Sequence, residues 1–357
     1  MNNRERFHKT MHFQTVDHPP LVISTPWQVT RARWEMEGLP ADIDLYDYFE
    51  LPRWEMHHIG IETVLHPQFE EVVLEQTDDH IIKINHNGVK EKNFKEATSM
   101  PEFLEYPIKG SESLDWLRVK LDPKTPERIK DNWLQEATDR QRNGEIILCN
   151  GGMYFGFLNE HMGTEKFMYA YLDTPELIHE VNERQCVLCE WALNQALPKI
   201  SLDYIGYHED MAYKCGSMIS PAMFREFMTP YYKRITGLSS QYGIDINLLD
   251  CDGNIHELLP LWLECGINCL TPMEVAAGMD VVELHKEYGK DLLIIGGFDK
   301  RILASGEMEI KAELERLRPT IEAGGYIPSA DHLIPPDVSL DNLTYYVQTF
   351  KSMFGIK

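Results

Sequence analysis

Along most of the chain, short apolar runs alternate with longer stretches of helical period. Apolar residues at i, i+3 and i+4 predict helices over Pro126–Asn143, Thr164–Leu172, Pro175–Ala196 and Pro221–Tyr242, the last broken near Gly237. The same period returns over Ile255–Glu264, Val281–Tyr288, Lys300–Ala323 and Asn342–Phe354. Between them lie runs of strand length: Ile146–Asn150, Tyr204–Tyr207, Ile244–Leu249, Cys269–Met273, Leu292–Gly297 and Tyr326–Pro328. Several runs end in acids or imidazoles: His208-Glu209-Asp210, Asp250-Cys251-Asp252, Glu274 and Asp331-His332.

The first hundred residues read differently. A helix over Arg4–Met11 is followed by a turn at Val16-Asp17-His18-Pro19-Pro20, because proline pairs stop helices. Leu21–Ser24 reads as a first strand and Trp27–Met36 as an amphipathic segment. Over about residues 60–95, Val72–Leu74 and Ile81–Ile84 alternate apolar with polar positions around an Asn87-Gly88 turn. That is the pattern of an antiparallel meander packed on a larger body.

Strands alternating with helices of ten or more residues imply a parallel sheet. With about eight strands the natural closure is an α/β fold of the (β/α)8 TIM-barrel type. The expected architecture is one barrel domain over residues 1–357, with an N-terminal extension and a small β-meander insertion. The alternative, an open doubly wound sheet, calls for a phosphate-binding glycine loop after the first strand. Neither G-x-G-x-x-G nor G-x-x-x-x-G-K occurs.

Composition narrows the partners. With 43% hydrophobic and 25% charged residues the chain is ordinarily globular, and no run approaches a membrane span. The opening Met1-Asn2-Asn3-Arg4-Glu5-Arg6 lacks the apolar stretch of a signal peptide, so a cytoplasmic protein is expected. A net charge of −23 without a Lys/Arg cluster argues against nucleic acid and, more mildly, against polyanionic substrates. Seven scattered cysteines form no disulfide framework, and Cys186-x-x-Cys189 lies within a helical pattern as core.

If the strands are parallel barrel strands, their acid-bearing ends share one mouth. Asp250 and Asp252 then point the same way, about 7 Å apart, with Cys251 on the opposite side. Glu274 and His332 join them, and a divalent metal would offset the crowding of carboxylates. Each residue has a plainer alternative. Asp252 could cap the helix near Ile255, and His332 could bond loop backbone. Glu274 could pair with a lysine or arginine, and Glu209 or Asp210 could cap a helix. Trp27, Tyr154, Phe155, Phe157, Tyr207, Met211 and Tyr213 lie at or just past strand ends. They read as an aromatic-lined substrate cavity or, equally, as core.

The opening Asn3-Arg4-Glu5-Arg6-Phe7…Met11…Phe13…Val16-Asp17-His18-Pro19-Pro20 resembles the start of the uroporphyrinogen decarboxylase superfamily. Glu209–Lys214, Asp250–Asn254, Ile295–Lys300 and Gly325–Pro328…His332…Pro335-Pro336-Asp337 resemble its methyltransferase-type members. The resemblance runs from about residue 3 to 350 and implies a (β/α)8 barrel. The decarboxylases carry an Arg-Gln-Ala-Gly-Arg-type run whose arginines hold substrate carboxylates. Here that region reads Trp27-Gln28-Val29-Thr30-Arg31-Ala32-Arg33, so decarboxylation is the lesser expectation.

Members that methylate thiols hold zinc with His-x-Cys and a further Cys. The match places Asp250 at that His, Asp252 at the first Cys and His332 at the second. Hard ligands in place of soft ones argue against thiol activation and for polarising an oxygen. The resemblance therefore implies the methyltransferase component of an O-demethylase system. It would move a methyl group from an aryl methyl ether to the cobalt of a separate corrinoid protein. Asp250, Asp252, Glu274 and His332 are the expected zinc ligands. Glu209, Asp210 and Asp252 are the expected catalytic residues, and Trp27, Tyr154, Phe155, Tyr207 and Met211 the substrate contacts. A methylamine or a tetrahydrofolate is the alternative donor within the same family. Large barrels of this kind often pair as homodimers.

Overall fold

The computed structural model describes residues 1–95 and 100–356. Among the described residues thirteen strands follow the chain. β1 is Met56–His58 and β2–β5 are Val72–Gln76, His80–Ile84, Lys90–Phe94 and Glu102–Glu105. β6 is Ile146–Gly152, β7 Tyr204–His208, and β8 and β9 the short pair Ala212–Tyr213 and Gly216–Ser217. β10–β13 are Asn247–Asp250, Cys269–Thr271, Leu293–Phe298 and Tyr326–Ala330. Seven form one parallel sheet in the order β1-β6-β7-β10-β11-β12-β13. Each strand lies beside its successor, without the reversal of order that marks a doubly wound sheet. The sheet is that of a TIM-type barrel.

Leu21–Ser24 was expected as the first barrel strand. It lies instead as extended chain with no ladder of its own. It keeps the eighth strand's place beside the end of β13: Ser24 Oγ donates to the Ala330 carbonyl, and Pro26 bridges Ile334. Pro19, Pro20 and Pro26 lack the N–H a ladder needs.

The interior is apolar because alternate residues of each strand face inward. Ile146, Leu148, Tyr204, Ile246, Leu248, Cys269, Leu293, Ile295 and Ile327 form one buried cluster. Phe7 and Met11 of the N-terminal helix Asn3–Met11 join it. That helix closes the barrel at the N-terminal ends of the strands. It starts from a capping box in which Asn2 and Glu5 satisfy each other's backbone N–H. The opposite strand faces pack under the surrounding helices in the larger core.

The meander is larger than its sequence pattern. β2–β5 make a four-stranded antiparallel sheet reaching Glu105, inserted between β1 and β6. The expected turn holds, with Gly88 at φ +79°. Four helices differ from expectation; that over Ile255–Glu264 begins only at Leu259. The helix over Pro126–Asn143 begins only at Trp133, because the buried Arg128 donates to the carbonyls of Asp122, Glu62 and Val64 in a non-helical loop. The break in Pro221–Tyr242 falls at Met228, just ahead of Pro230, and Gly237 stays helical. Lys300–Ala323 is split at Gly306, where φ is +131°. Among the described residues no helix is long and apolar enough to cross a membrane.

Candidate functional site at the barrel mouth

The C-terminal strand ends bring the sequence-predicted acids to one face. β7 and β10 pair in register, His208 beside Asp250, so both point into the mouth above the apolar layers. His208 lies between two carboxylates: Nε2 is 3.4 Å from Asp210 Oδ2 and Nδ1 is 3.6 Å from Asp250 Oδ2. Asp210 first and Asp250 second push this imidazole up to about 11, outweighing its partial burial. It is a fixed cation at neutral pH. Burial works upward on the Asp210 carboxyl, but His208 outweighs it and holds the group below its ordinary value.

Beyond β10 the chain turns at Gly253, φ +88°, where a Cβ would stand 2.6 Å from the Ala212 carbonyl oxygen. Only glycine fits there. The turn presents Asp252, whose backbone N–H donates to Asp210 Oδ1 at 3.3 Å. Across the mouth Asp252 Oδ2 is 3.2 Å from His332 Nε2, which raises the imidazole's pKa. The Trp27 ring lies beside His332, centroids 6.4 Å apart and tilted by 30°. Cys251 faces the other way, as its parity requires, and accepts the Met211 N–H. Burial keeps its thiol protonated.

Glu274 takes its plainer alternative. Its Oε1 accepts from Lys300 Nζ at 3.2 Å and its Oε2 from the Gly253 N–H. Asp331, fully buried, accepts from the backbone N–H of Val275 and of Lys300, each at 2.9 Å. It ties the ends of β11, β12 and β13 together. Lys300 and His208 were not assigned roles from sequence. The signal for Lys300 was its place in Gly296-Gly297-Phe298-Asp299-Lys300 just past β12.

Glu209 was expected in catalysis, and the structure removes it from the mouth. One residue beyond His208, it has opposite parity and is wholly buried on the helix side. It accepts the N–H groups of Tyr154, Phe155 and Gly156 and the Tyr232 hydroxyl, at 2.6–2.9 Å. It therefore anchors the start of the helix Gly156–Met162. Four expected substrate contacts are likewise core. Tyr154, Phe155 and Met211 have no exposed surface, and Tyr207 is buried against Gly151, where a Cβ would be 2.2 Å from its ring. Tyr207 and Met211 have outward parity, and Tyr154 and Phe155 lie past the end of β6 in the core under the surrounding helices. Trp27 alone of the five remains partly exposed at the mouth.

Of the proposed zinc ligands the structure brings together one pair, not the quartet. Ligand atoms around a tetrahedral zinc stand roughly 3.3 Å apart, from bonds near 2.0–2.1 Å. Asp252 and His332 meet that spacing. Asp250 is held by His208 and Glu274 by the Lys300 ammonium, so the four do not fit one ion as arranged. Among the described residues, the group of three that could hold an ion is Glu55, His57 and Glu145. It lies at the opposite end of the barrel, where Arg140 already pairs with Glu145.

A model of the uroporphyrinogen decarboxylase (URO-D) family matches residues 159–353, which carry every mouth residue described above except Trp27. The chain belongs to the uroporphyrinogen decarboxylase family. A curated relative, the uroporphyrinogen decarboxylase of Gloeobacter violaceus, is 25% identical over 142 residues. That alignment spans 39% of this chain and 39% of the relative's length. A solved methyltransferase from Methanosarcina mazei superposes over 99% of both chains with a TM-score of 0.61 at 16% identity. The likeness to it is one of fold. Within the uroporphyrinogen decarboxylase fold, this member's small sheet β2–β5 and Trp27 lie outside the matched stretch.

Proposed function

We propose that this protein is the methyltransferase component of an O-demethylase system, taking the methyl group of an aryl methyl ether. The acceptor is the cobalt of a corrinoid on a separate protein. The observation that carries the reading is the Asp252–His332 pair beside Trp27. An aryl ether is a poor methyl donor because its oxygen must leave with both electrons of the C–O bond. A protonated imidazole there supplies the missing proton, and a fixed cation nearby lowers the cost of the developing charge. His332 is placed for the first task and His208 for the second. Asp252 raises the pKa of His332, and Asp210 links the two pairs through the Asp252 N–H.

In the balanced step the acceptor's electron pair forms the new bond to the methyl carbon. The C–O pair stays on the aryl oxygen, and the His332 proton completes a phenol. The polycarboxylate alternative is less well supported. Arg31 and Arg33 bond Glu35 and Glu37 along their own helix, and Lys300 is paired. Among the described residues no basic cluster is left at the mouth for a porphyrinogen's acids. A zinc ion polarising the ether oxygen is the second reading, favoured by the spacing of Asp252 and His332 alone.

The test is demethylation of methoxylated aromatics with a reduced corrinoid protein as acceptor, with elemental analysis of the same preparation. Turnover by the wild type and its loss in His332→Asn support the reading. Turnover only of a methylamine or a methyl-tetrahydrofolate replaces the donor. One zinc per chain, lost in Asp252→Ala/His332→Ala, moves the activation from proton to metal.

A further inference from the structure

A cleft of about 400 Å³ separates the small sheet from the barrel and ends at Asp210. One wall is apolar and aromatic. Met100 and Phe103 keep 68% and 42% of their surface exposed, and the Phe103 and Tyr106 rings lie 6.2 Å apart at 46°, forming a corner. Exposed side chains of this size around a concave space mark a ligand site more often than a bare surface. The other wall is acidic. It carries Glu91, Glu160 and Asp210, with no Lys or Arg among the described lining residues. Lys83 stands 3.8 Å from Glu91, and His208 faces Asp210. Glu160 has no ion-pair partner among the described residues.

Resting on the methyltransferase reading above, we propose that this cleft binds the methyl donor and selects its charge. The donor's ring lies in the Phe103–Tyr106 corner, and its reacting end points to the Asp210–His208 side of the mouth. Neutral and cationic methoxylated aromatics are accepted, and methoxybenzoates are turned away. A ring against Phe103 and Tyr106 gains offset or edge contacts, and a ring-borne ammonium gains attraction to Glu160 and the aromatic faces. A ring-borne carboxylate would instead meet Glu160 with no Lys or Arg among the described lining residues to receive it, His208 being held by Asp210 and Asp250. The small sheet is thus a specificity element inserted into the barrel, and its sequence lies outside the family-matched stretch.

The test is titration calorimetry on the full chain without acceptor, using three probes of one size. These are 4-methoxybenzylamine, 4-methoxytoluene and 4-methoxybenzoate. The expected result is binding of the first two, with the benzoate at least 10-fold weaker. Glu160→Gln should reduce the preference for amine over benzoate several-fold. Phe103→Ala should weaken amine and toluene alike while the fold, followed by circular dichroism, is kept. Equal affinity for all three, tightest binding of the benzoate, or binding indifferent to Phe103→Ala overturns the proposal, as does no binding of any probe. Binding that follows the charge rule without methyl transfer leaves the cleft standing and removes the O-demethylase reading instead.

Discussion

Asp252 and His332 face each other at 3.2 Å across the barrel mouth, although 80 residues of chain separate them. Asp252 lies on the turn after β10 and His332 just past β13, so the pair exists only because the barrel closes. Its effect is to keep the imidazole protonated above the ordinary histidine value. A group raised in this way loses its proton as pH rises through the shifted value. Turnover should therefore fall on the alkaline side with the deprotonation of His332. In Asp252→Asn that fall should move to lower pH, toward about 6.5. His332→Asn should lower kcat by roughly 10²–10⁴-fold, the usual worth of a positioned proton donor. A pH–rate profile of the wild type and both variants is the measurement. An alkaline limb in Asp252→Asn that does not move would remove His332 as the acid.

The second imidazole makes a different prediction, about stability. Asp210 and Asp250 raise His208 to about 11. Its contribution is fully present below its unfolded value, near 6.5, and is lost as pH climbs through about 11. The side chain is 42% exposed, so solvent screens much of that contribution. Comparison with His208→Gln separates it from the tyrosines and lysines that also titrate there. The wild type's advantage in urea midpoint over His208→Gln should be largest at pH 6 and shrink steadily toward pH 10.5. An advantage that is flat across this range would mean the two carboxylates do not hold the proton.

Much of the barrel was legible because the evidence for it is local. Val281–Tyr288 and Pro175–Ala196 keep their sequence-read bounds, since the first follows the capping Asp280, the second starts on a proline, and each keeps an apolar face. The strand ends that gather Asp250, Asp252, Glu274 and His332 were legible from runs of strand length. What failed was parity beyond one motif. The period of two placed Asp250 and Asp252 together and turned Cys251 away. The same count puts His208 inward and Glu209 outward, so the more prominent acid was the structural one. Tyr207 failed by the same count, standing one residue before His208, and Tyr154 and Phe155 failed because the chain past β6 enters the helix-covered core. Pairing partners such as Lys300 with Glu274, 26 residues apart, depend on strand order and leave no local pattern. The cleft beside Asp210 depends on where the inserted sheet folds back, which the meander's own alternation does not state.

The burial of Glu209 predicts a variant whose damage is structural. Four donors converge on its two oxygens, and burial raises its pKa against their opposing pull. Glu209→Ala would strand three backbone N–H groups and the Tyr232 hydroxyl in a sealed core. Unsatisfied buried groups cost about 1–3 kcal/mol each and are not additive, so a total loss of roughly 3–5 kcal/mol is expected. Urea unfolding gives the stability, and kcat of the folded fraction gives the chemistry. A variant of native stability with no turnover would return Glu209 to the catalytic role that its sequence position suggested.

Lys300 decides between the proton and the metal readings. Its ammonium lies on Glu274 at 3.2 Å and near Asp331 at 3.9 Å, with both carboxylates part-buried or buried. An ion that took Glu274 as ligand would have to displace this lysine, whereas one held by Asp252 and His332 alone would lack a third protein ligand. In Lys300→Met the apolar stem remains and the charge goes. Glu274 and Asp331 are then left without their cation, and metal-free stability should fall by roughly 1–3 kcal/mol. The same change frees Glu274 beside the Asp252–His332 pair, so zinc taken up after dialysis against zinc buffer should rise above the wild-type content. Elemental analysis with differential scanning calorimetry on both proteins reads the two effects together. Equal zinc in both, with one ion per chain in the wild type, would mean that Lys300 yields its place readily, and the ion-paired mouth would then be the resting form of a metal site.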